Sequence, residues 1–582
     1  MKNWRLGLSL ALGLALSMVL LCGTALAAEA ASGSWTDYKL RPGYGGTWTL
    51  DSEGTLTFEG KGVIPPEEAN GWAEWLPHRD SVRKIVIGSG VTELTYHVFA
   101  EYKELQAVEI PESVTAILDG AFRGCVSLTS VTIPASVVSL STPQEEGERV
   151  YHGAFGGCTG LREADIAARD IGPRAFTGCS SLSRVTLREG VETIGDDAFL
   201  NCVLEELTLP ASLQEIGPGA LYNNTYLNNI EVAAGSTAYQ SMNGVVFSRD
   251  GSELTLCPPG KKGRFIIPEG TKTIAASAFI SCGGLTGVDI PEGVVSIGDE
   301  AFMDCAALAE AALPQSVEAV GAHAFDGCSG LTRLELGRVE SIGDKAFLKC
   351  GTLSSVTLPD SLTSVGMAAF GDCTKLTSVV IPGSLKEVPG NMFTSCVNIS
   401  SVTLEDGVQT VGESAFSTGS RLSLVVIPKS VTRIETGAFS GASAKNMVVH
   451  YAGTEDEWNQ IKTGARPFED SAVILYGSAG PVKPVIQKVV KWNYVRKPER
   501  DRILLYLTPE LDNIGPAGTV VVGAAIYKGG RMMNFREAKL QVEPGLHSYP
   551  MDPLVFMTDE MEDSCKVFLL EDGGLVPLAK WG

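Results

Sequence analysis

The sequence has few of the residues on which catalytic and metal sites depend. Only six histidines occur in 582 residues, and none belongs to a His-Glu-x-x-His, nucleophile-elbow or Cys-His arrangement. The sequence also lacks the Cys-x-x-Cys spacing of zinc sites and a glycine-rich phosphate loop between a strand and a helix. We therefore predict no catalytic residue, no cofactor and no metal, and we expect no intrinsic enzymatic activity.

Beyond the N-terminus, no hydrophobic run could cross a membrane, which needs about 20 apolar residues. The N-terminus itself has Lys2 and Arg5, an apolar run over 6–21 and the small residues Ala25 and Ala27. This pattern predicts a signal peptide at residues 1–27 rather than a retained anchor. A lipid anchor at the following Cys22 is disfavoured, because bulky Leu21 precedes it. We expect an extracellular protein, secreted or associated with the cell surface, without a membrane span after cleavage.

Positive charge is also scarce. The formal net charge is −22, yet residues 481–582 hold 13 basic and 13 acidic residues, so the acidic excess lies in the rest of the chain. An acidic surface keeps an exported protein soluble and argues against nucleic acid and anionic membranes as partners.

One sequence motif recurs along most of the chain. Its marker, usually Ala-Phe, returns every 23 residues, and once after 22, between Phe279 and Phe439. Ile or Val stands five residues before each Phe, and in most repeats Cys follows after three residues, then Leu-x-x-Val-x-Ile/Leu-Pro. A fixed period of this length is typical of a solenoid, whose turns bury a core only when several are stacked. We predict about 14 turns of 23 residues.

Each turn contains two extended segments and a corner. The segment from Leu128 to Ile133 predicts a strand that Pro134 ends, because proline cannot donate a ladder hydrogen bond. A shorter segment, Val114 to Ile117, forms the second side. Ala121-Phe122 is expected on a tight helical or 3-10 corner, with the ring in the core.

Ten of the thirteen cysteines occupy one repeat position, three residues after the Phe. Later turns have Gly419 and Ala442 there, so the position favours a small buried residue. Stacked strands lie about 4.8 Å apart, but their parallel Cβ vectors do not converge as a disulfide requires. We interpret the cysteines as a ladder of free buried thiols, with disulfides between neighbouring turns as the alternative.

The two ends and one interruption differ from the regular turns. Thr47–Leu50 and Thr55–Phe58 alternate around a turn, which predicts a hairpin, and Trp48, Trp72 and Trp75 would cover the first turn. Asn243-Gly244 and Asp250-Gly251 are strong turn signals within a long spacing. Thr454 and Glu457 form a capping box at a short helix. The predicted organisation is a signal peptide (1–27), an N-terminal β-hairpin cap (33–90), repeat block 1 (91–232), a β-hairpin excursion (233–265), repeat block 2 (266–441), a C-terminal cap (442–476), a linker (477–483) and a small antiparallel β-sandwich (484–582), independent of the solenoid.

The repeat, as it stands from Val294 to Pro314, closely resembles the BspA-type leucine-rich repeat of bacterial surface proteins. The resemblance covers about residues 91–476 and extends to the opening hairpin and to the closing Tyr451–Trp458 segment. It implies a β-rich leucine-rich repeat solenoid and a role in surface adhesion, often to host matrix proteins or other cells. It implies no catalytic residue. The last 100 residues more loosely resemble a β-rich module appended to many secreted bacterial proteins.

Strand periodicity assigns one side chain per turn to the outside of the longer strand. The candidate ligand-binding residues chosen from this row are Glu109, Thr132, Asp165, Thr186, Asp289, Glu335, Thr357 and Thr403. We expect a protein partner, from the extracellular matrix or another cell surface, and the acidic members suggest a basic one. Block 2 would supply eight uninterrupted turns to it. A carbohydrate-binding surface protein is the first alternative, although the row contains no aromatic residue. A passive scaffold that presents the C-terminal module is the second. Oligomeric state is not predicted.

Overall fold

A computed structural model describes residues 31–66, 74–142, 152–417, 421–440, 447–468 and 472–477, together with the backbone of C-terminal strands between 486 and 581. The predicted signal peptide and almost all of the predicted linker lie outside these residues. By its contacts the chain divides into two units, one of residues up to 249 with 258–260, and one of residues 250–257 with 261 onward. None of the described residues forms a helix with the length and apolarity needed to span a membrane.

The strands of the first unit are mostly short. They are β1 (Ala31–Thr36), β2 (Gly45–Leu50), β3 (Thr55–Ile64), β4 (Lys84–Ile87), β5 (Val91–Leu94), β6 (Ala107–Glu109), β7 (Ala116–Leu118), β8 (Ser130–Ile133), β9 (Ser139–Thr142), β10 (Glu163–Ile166), β11 (Asp170–Ile171), β12 (Arg184–Leu187), β13 (Thr193–Ile194), β14 (Leu207–Leu209), β15 (Glu215–Ile216), β16 (Ile230–Val232), β17 (Tyr239–Met242) and β18 (Val245–Ser248). A 3-10 helix (Leu76–Ser81) lies between β3 and β4.

The second unit continues with strands of the same kind. They are β19 (Glu253–Leu256), β20 (Lys262–Ile266), β21 (Thr273–Ile274), β22 (Gly284–Asp289), β23 (Ser296–Ile297), β24 (Glu310–Ala312), β25 (Ala319–Val320), β26 (Arg333–Glu335), β27 (Ser341–Ile342), β28 (Ser364–Val365), β29 (Ser378–Ile381), β30 (Glu387–Val388), β31 (Ser401–Leu404), β32 (Thr410–Val411), β33 (Leu424–Ile427), β34 (Arg433–Ile434), β35 (Val448–Tyr451), β36 (Lys462–Thr463) and β37 (Val473–Tyr476). Helix α1 (Glu455–Trp458) precedes β36.

The two segments of each turn build two sheets, which run along opposite sides of the core. The short-strand sheet contains the Val-x-x-Ile segments and runs in the first unit through β3-β5-β7-β9-β11-β13-β15. The lateral sheet contains the Leu-x-x-Val-x-Ile segments: β4-β6, β8-β10-β12 and β14-β16. Pairing between turns is parallel, as in β8-β10-β12, and the ten-residue β3 pairs with both β4 and β5. This is the predicted solenoid.

The second unit repeats the plan. Its short-strand sheet runs through β19-β21-β23-β25-β27-β28 and through β30-β32-β34-β36. Its lateral strands pair as β20-β22, β24-β26 and β29-β31-β33-β35-β37. The repeats together make about 16 turns, two more than the sequence count.

A ladder of phenylalanine rings fills the core behind the corners. The Phe325 ring centroid lies 4.9 Å from that of Phe302 and 5.2 Å from that of Phe347, with the planes within 11° of parallel. These three side chains are at most 1 % exposed. Offset stacking of aromatic rings adds to the free energy of burial. One ring per turn therefore sets the regular stacking of the turns.

The corners are hydrogen-bonded turns rather than the predicted helical or 3-10 segments. In the corners that the structure describes in full, two residues have a left-handed backbone, two before and two after the Phe, such as Lys345 (φ 54°) and Lys349 (φ 59°) around Phe347. A right-handed helix cannot continue through such residues. Glycine takes the same two places around Phe122, at Gly120 and Gly124. The sequence analysis was therefore wrong about corner geometry, although it placed the ring in the core.

All eleven cysteines whose side chains the structure describes are buried and free of disulfides. Gly419 and Ala442, which suggested a small residue at this position, lie outside the described residues. Asn224 occupies the same position after Leu221 and is fully buried. Cys257 does not belong to the ladder position. Its amide donates to the carbonyl of Ala278, as the amide of Phe279 donates to that of Ala301, so Cys257 stands where other turns have phenylalanine.

The predicted excursion at 233–265 is a hairpin over only part of its length. β17 and β18 pair antiparallel around Asn243 (φ 53°) and Gly244 (φ 77°), the two left-handed residues that a tight hairpin turn requires. β19 and β20 instead pair in parallel with β21 and β22. They are ordinary solenoid strands, which the sequence did not show because Cys257 replaces the expected phenylalanine.

At the start of the solenoid, aromatic side chains cover the first turn. Trp48 and Trp75 are 3 % and 0 % exposed, and the Trp75 ring meets Phe58 edge-on with centroids 4.9 Å apart. Trp72 lies outside the described residues. These tryptophans belong to the core, as expected for a cap.

At the other end, the predicted cap at 442–476 contains a further turn. The Phe468 ring stacks on Phe439 with centroids 5.0 Å apart, and Arg466 has the left-handed backbone of a corner (φ 44°). Helix α1 is inserted in this turn, and it begins with the predicted capping box of Thr454 and Glu457. The insertion lengthens the spacing between the two phenylalanines, which hid the turn from the sequence count.

The C-terminal strands are β38 (Ile486–Glu499), β39 (Arg502–Asn513), β40 (Gly518–Lys528), β41 (Arg531–Val542), β42 (Gly545–Ser548), β43 (Leu554–Met557), β44 (Ser564–Glu571) and β45 (Gly574–Trp581). They form two antiparallel sheets, one with β38-β39-β42 and β43 on β39, the other with the order β41-β40-β44-β45.

Candidate protein-binding face

The outward side of the lateral sheet holds most of the residues that the sequence proposed for ligand binding. Glu109, Thr132, Asp165, Thr186, Asp289, Glu335 and Thr403 lie on β6, β8, β10, β12, β22, β26 and β31, respectively. Thr357 is exposed but belongs to no strand. Glu109, Thr132, Thr186 and Glu335 are exposed, whereas Asp165, Asp289 and Thr403 are half-buried.

In the first unit, strand register brings three of these residues together. Thr132 pairs with Asp165, and Asp165 with Thr186, across β8, β10 and β12. Their neighbours in the chain, Val131 and Ala164, point into the core and are at most 4 % exposed. Directly opposed residues on adjacent strands lie about 5 Å apart. The three side chains therefore form one continuous row across consecutive turns.

The acidic members of this face carry their own counter-ions. Arg188 donates from Nε to Asp165 Oδ1 at 2.7 Å and from Nη2 to Oδ2 at 2.5 Å, and these bonds hold the pKa of the Asp165 carboxyl below its usual range. Lys84 Nζ lies 2.6 Å from Glu109 Oε1. Exposed ion pairs add little to stability, but they reduce the charge available to a basic partner.

In the second unit, the same face forms a shallow cleft of about 300 Å³ around Ala312, where the outward side chain is small. Arg264 donates to Asp289 at 2.9 to 3.0 Å and to Glu310 Oε1 at 2.7 Å. Arg333 on β26 donates to Glu335 at 3.0 Å. The bonds from Arg264 lower the pKa of the Asp289 carboxyl.

Both carboxylates for which a basic partner was expected, Asp289 and Glu335, bind arginine within the chain. Arg264, Glu310 and Arg333 were not chosen from the sequence. A signal for Glu310 and Arg333 was present, because each lies two residues before an outward position, and alternation places such residues on the same face.

On β33 of the second unit, the outward positions are no longer exposed. All four residues of β33 are buried, including Leu424 at 7 % and Val426 at 9 % exposure. Ser401 on β31 is 2 % exposed. The face of repeat block 2 is therefore not one uninterrupted exposed surface, as the sequence had suggested.

The described side chains include no group of three or more His, Cys, Asp or Glu residues that could hold a metal ion. Their polar groups on the lateral sheet are arranged in pairs across an open face. Such an arrangement can recognise an extended surface.

The profile of the BspA-type leucine-rich repeat region matches the chain in six copies, over residues 78–143, 148–250, 262–347 and 340–455. These segments make up more than half of the sequence. The chain belongs to the BspA-type leucine-rich repeat family. This match confirms the resemblance to BspA-type repeats that the repeat motif indicated. No sequence relative was found among curated proteins.

Solved structures of similar proteins include other bacterial leucine-rich repeat proteins. A leucine-rich repeat protein from Eubacterium ventriosum shares 24 % identity and a TM-score of 0.50, covering 65 % of this chain and 92 % of its own. The pneumococcal vaccine antigen PcpA shares 18 % identity, with coverage of 76 % and 98 % and a TM-score of 0.43. A leucine-rich cell surface protein from Faecalibacterium prausnitzii shares 22 %, with coverage of 74 % and 97 % and a TM-score of 0.39. The similarity to the Eubacterium protein shows a common solenoid fold.

Proposed function

We propose that this BspA-type protein is exported and acts as a non-enzymatic adhesin, which binds another protein through the outward face of its lateral sheet. The main support is the outward row of Thr132, Asp165 and Thr186. Their side chains project from a rigid scaffold and take no part in its core. The signal-peptide pattern at residues 1–27 supports an extracellular or cell-surface location.

The first unit offers the larger exposed surface. A specific interface needs about 800 Å² on each partner, and a lateral strand of three or four residues presents about 50–60 Å². The lateral strands β4, β6, β8, β10, β12, β14 and β16 together provide about 400 Å², so residues that flank these strands must contribute the rest of an interface. We therefore place the binding face on the first unit rather than on repeat block 2, because the outward residues of β33 are buried.

The character of this face favours a partner that is not strongly basic. Asp165 and Glu109 are paired with Arg188 and Lys84, and threonine hydroxyls lie between them. Tyr226, which is 63 % exposed near the start of β16, adds an aromatic side chain of the type that dominates protein interfaces. A mixed, largely neutral surface suits a polar protein surface with few net charges.

The test uses the full-length exported chain and a panel of purified extracellular-matrix proteins, measured by biolayer interferometry. Thr132→Arg combined with Thr186→Arg places bulky groups in the row without touching the core. We expect this variant to weaken binding at least tenfold, the effect of losing about 1.4 kcal/mol. Gln214→Arg is the matched control, because Gln214 is exposed beside the short-strand sheet and the substitution adds the same group. Equal binding by both variants, or no binding to any matrix protein, would refute the proposal.

A further inference from the structure

Strand β33 departs from the alternation of a sheet that is covered on one side. Such a strand buries every second residue, and Val425 and Ile427 are the core residues of β33, each 0 % exposed. Leu424 and Val426 point to the outside, yet only 7 % and 9 % of their surface is exposed. They form a small hydrophobic cluster separate from the main core. Something therefore covers β33 from the outside.

The covered area extends to neighbouring strands. Ser378, Ser401 and Leu424 pair in one outward row across β29, β31 and β33, and the two serines are 8 % and 2 % exposed. The equivalent outward positions of the first unit, such as Ser130 and Arg184, are exposed. Burial of this outward row is thus local to β29, β31 and β33, because Val473 and Leu475, at outward positions of β37 in the same sheet, are 50 % and 42 % exposed.

The C-terminal strands are placed to provide the cover. β37 is the last strand of this same sheet and ends at Tyr476, and β38 begins at Ile486. The nine intervening residues reach at most about 30 Å, whereas the five strands of the sheet span about 19 Å. The tether therefore reaches every strand of the sheet. Both the sheet and the C-terminal strands also belong to the second unit.

Geometry and charge fit this occupant. β38 to β45 form two antiparallel sheets, and two sheets pack face to face through apolar side chains at about 10 Å. Residues 481–582 carry equal numbers of acidic and basic residues, whereas the whole chain has a net charge of −22. A neutral module can approach the acidic solenoid without net repulsion, whereas the solenoid of a second copy carries charge of the same sign.

We propose that the C-terminal β module, residues 486–581, docks on the outward face of β29, β31 and β33, with Leu424 and Val426 at the centre of the contact. Docking removes these turns from the surface offered to other proteins. Of the lateral strands of the second unit, it leaves exposed β37 and the group β20, β22, β24 and β26. That group covers about 270 Å², which is too little for a standard interface. This inference does not depend on the proposed adhesive function.

Hydroxyl-radical footprinting of the full-length chain tests the cover directly. We expect Leu424 and Val426 to be oxidised as slowly as the core residue Ile427. Ile266, an outward isoleucine that is 69 % exposed on β20, should react several-fold faster. Oxidation of Leu424 and Val426 at the rate of Ile266 would overturn the proposal.

A second measurement identifies the cover. Val426→Lys should expel the module, accelerate oxidation of Leu424 and raise the radius of gyration in small-angle scattering, whereas Thr186→Lys, at an exposed outward position, should do neither. Cross-linking of the unmodified chain should join Lys429, which follows β33, to lysines of residues 486–581. An equal mixture of isotopically labelled and unlabelled chains separates links within a chain from links between chains. Links only between chains, or none to the module, would show that another molecule covers β33.

Discussion

The thiol of Cys328 donates a hydrogen bond to the carbonyl oxygen of Phe302, one turn earlier, with Sγ and O 3.1 Å apart. The same carbonyl accepts the amide of Cys305 at 3.2 Å, so both of its lone pairs are used. Eight other ladder cysteines make the equivalent bond to a preceding phenylalanine. Where Asn224 replaces the cysteine, its amide donates to Phe199 O at 2.8 Å. In these turns the position therefore holds a small donor, although Gly419 and Ala442 in later turns have none.

Replacing this donor should lower stability by a modest amount. Cys328→Ala removes one of two hydrogen bonds to the Phe302 carbonyl and should cost about 1 kcal/mol. Cys328→Ser keeps a donor of similar size and should cost less. The urea midpoints of the two variants compare them, and a serine variant no more stable than the alanine variant would show that the thiol acts by packing alone.

The buried thiols should also make the fold sensitive to alkali. Burial raises the pKa of Cys202 and of Cys350 from about 9 to about 12. A pKa higher in the folded state gives stability that is complete below the unfolded pKa and is lost as the pH rises towards the folded pKa. The thermal midpoint should therefore fall between pH 9 and pH 12. Replacement of both cysteines by serine should reduce this pH dependence.

The same thiols should be unreactive until the chain unfolds. At pH 8 a thiol reagent should modify almost none of the eleven described cysteines in the folded protein, because each is buried and the thiolate is the reactive form. After denaturation without reductant, nearly all should react. If they are blocked in pairs, the cysteines form disulfides instead.

Sequence periodicity was sufficient to predict the solenoid because each turn repeats the same core residues. It could not reveal the turn around Phe468, where α1 lengthens the spacing, or the turn at β19, where Cys257 stands in place of phenylalanine. Corner geometry was missed for another reason. Left-handed positions are occupied by lysine and glutamate as well as glycine, so residue type does not identify them.

The candidate face was only partly predictable. Alternation placed Thr132 and Thr186 on the outside, because it depends on neighbours in the chain. The pairing of Arg264 with Asp289 and Glu310 depends on side chains from three strands, and the burial of Leu424 depends on whatever packs against it. Neither the ion pairs nor this burial can be predicted from the alternation of residues within one strand.

The phenylalanine ladder predicts how damage spreads. Phe347 stacks on Phe325 and Phe370 at centroid distances of 5.2 and 5.0 Å, so Phe347→Ala should cost about 3–5 kcal/mol. Stability in a repeat array depends on the interfaces between neighbours. Hydrogen exchange should therefore rise in the turns on both sides. Phe347→Leu is the control, since Leu221 occupies this position naturally, and an increase confined to the mutated turn would contradict the prediction.

At the N-terminal cap, Asp37 should contribute stability that acid removes. Its buried carboxylate accepts the amide of Val63 at 2.7 Å and two bonds from the Arg41 guanidinium at 2.9 and 3.0 Å. The Arg41 side chain, followed by the amides, holds the Asp37 pKa far below its usual range. A lowered pKa gives stability that is present above the unfolded pKa, about 3.9, and is lost as the pH falls below it.

Asp37→Asn should therefore lower stability at pH 7 by about 1.5–3 kcal/mol, with a smaller difference from the unmodified chain at pH 3. Hydrogen exchange of β1 to β3 reports the effect locally. Glu53→Gln, at an exposed position of the neighbouring hairpin, should change little. A difference that stays constant between pH 7 and pH 3 would mean that packing, and not the ionised carboxylate, explains the loss.

Left-handed corner residues offer a way to stabilise the solenoid. Lys345 is exposed with φ 54°, and a left-handed backbone costs a residue with a Cβ about 1–2 kcal/mol. Its amide bond to Met367 O, at 2.9 Å, does not involve the side chain and would remain. Glycine loses about 0.5–1 kcal/mol more entropy on folding, so Lys345→Gly should gain up to about 1 kcal/mol net. Lys375→Gly, at an exposed lysine outside the left-handed region, should instead destabilise by the entropic term alone. The two glycine variants should therefore shift the urea midpoint in opposite directions, and shifts of the same sign would show that the corner backbone is not strained.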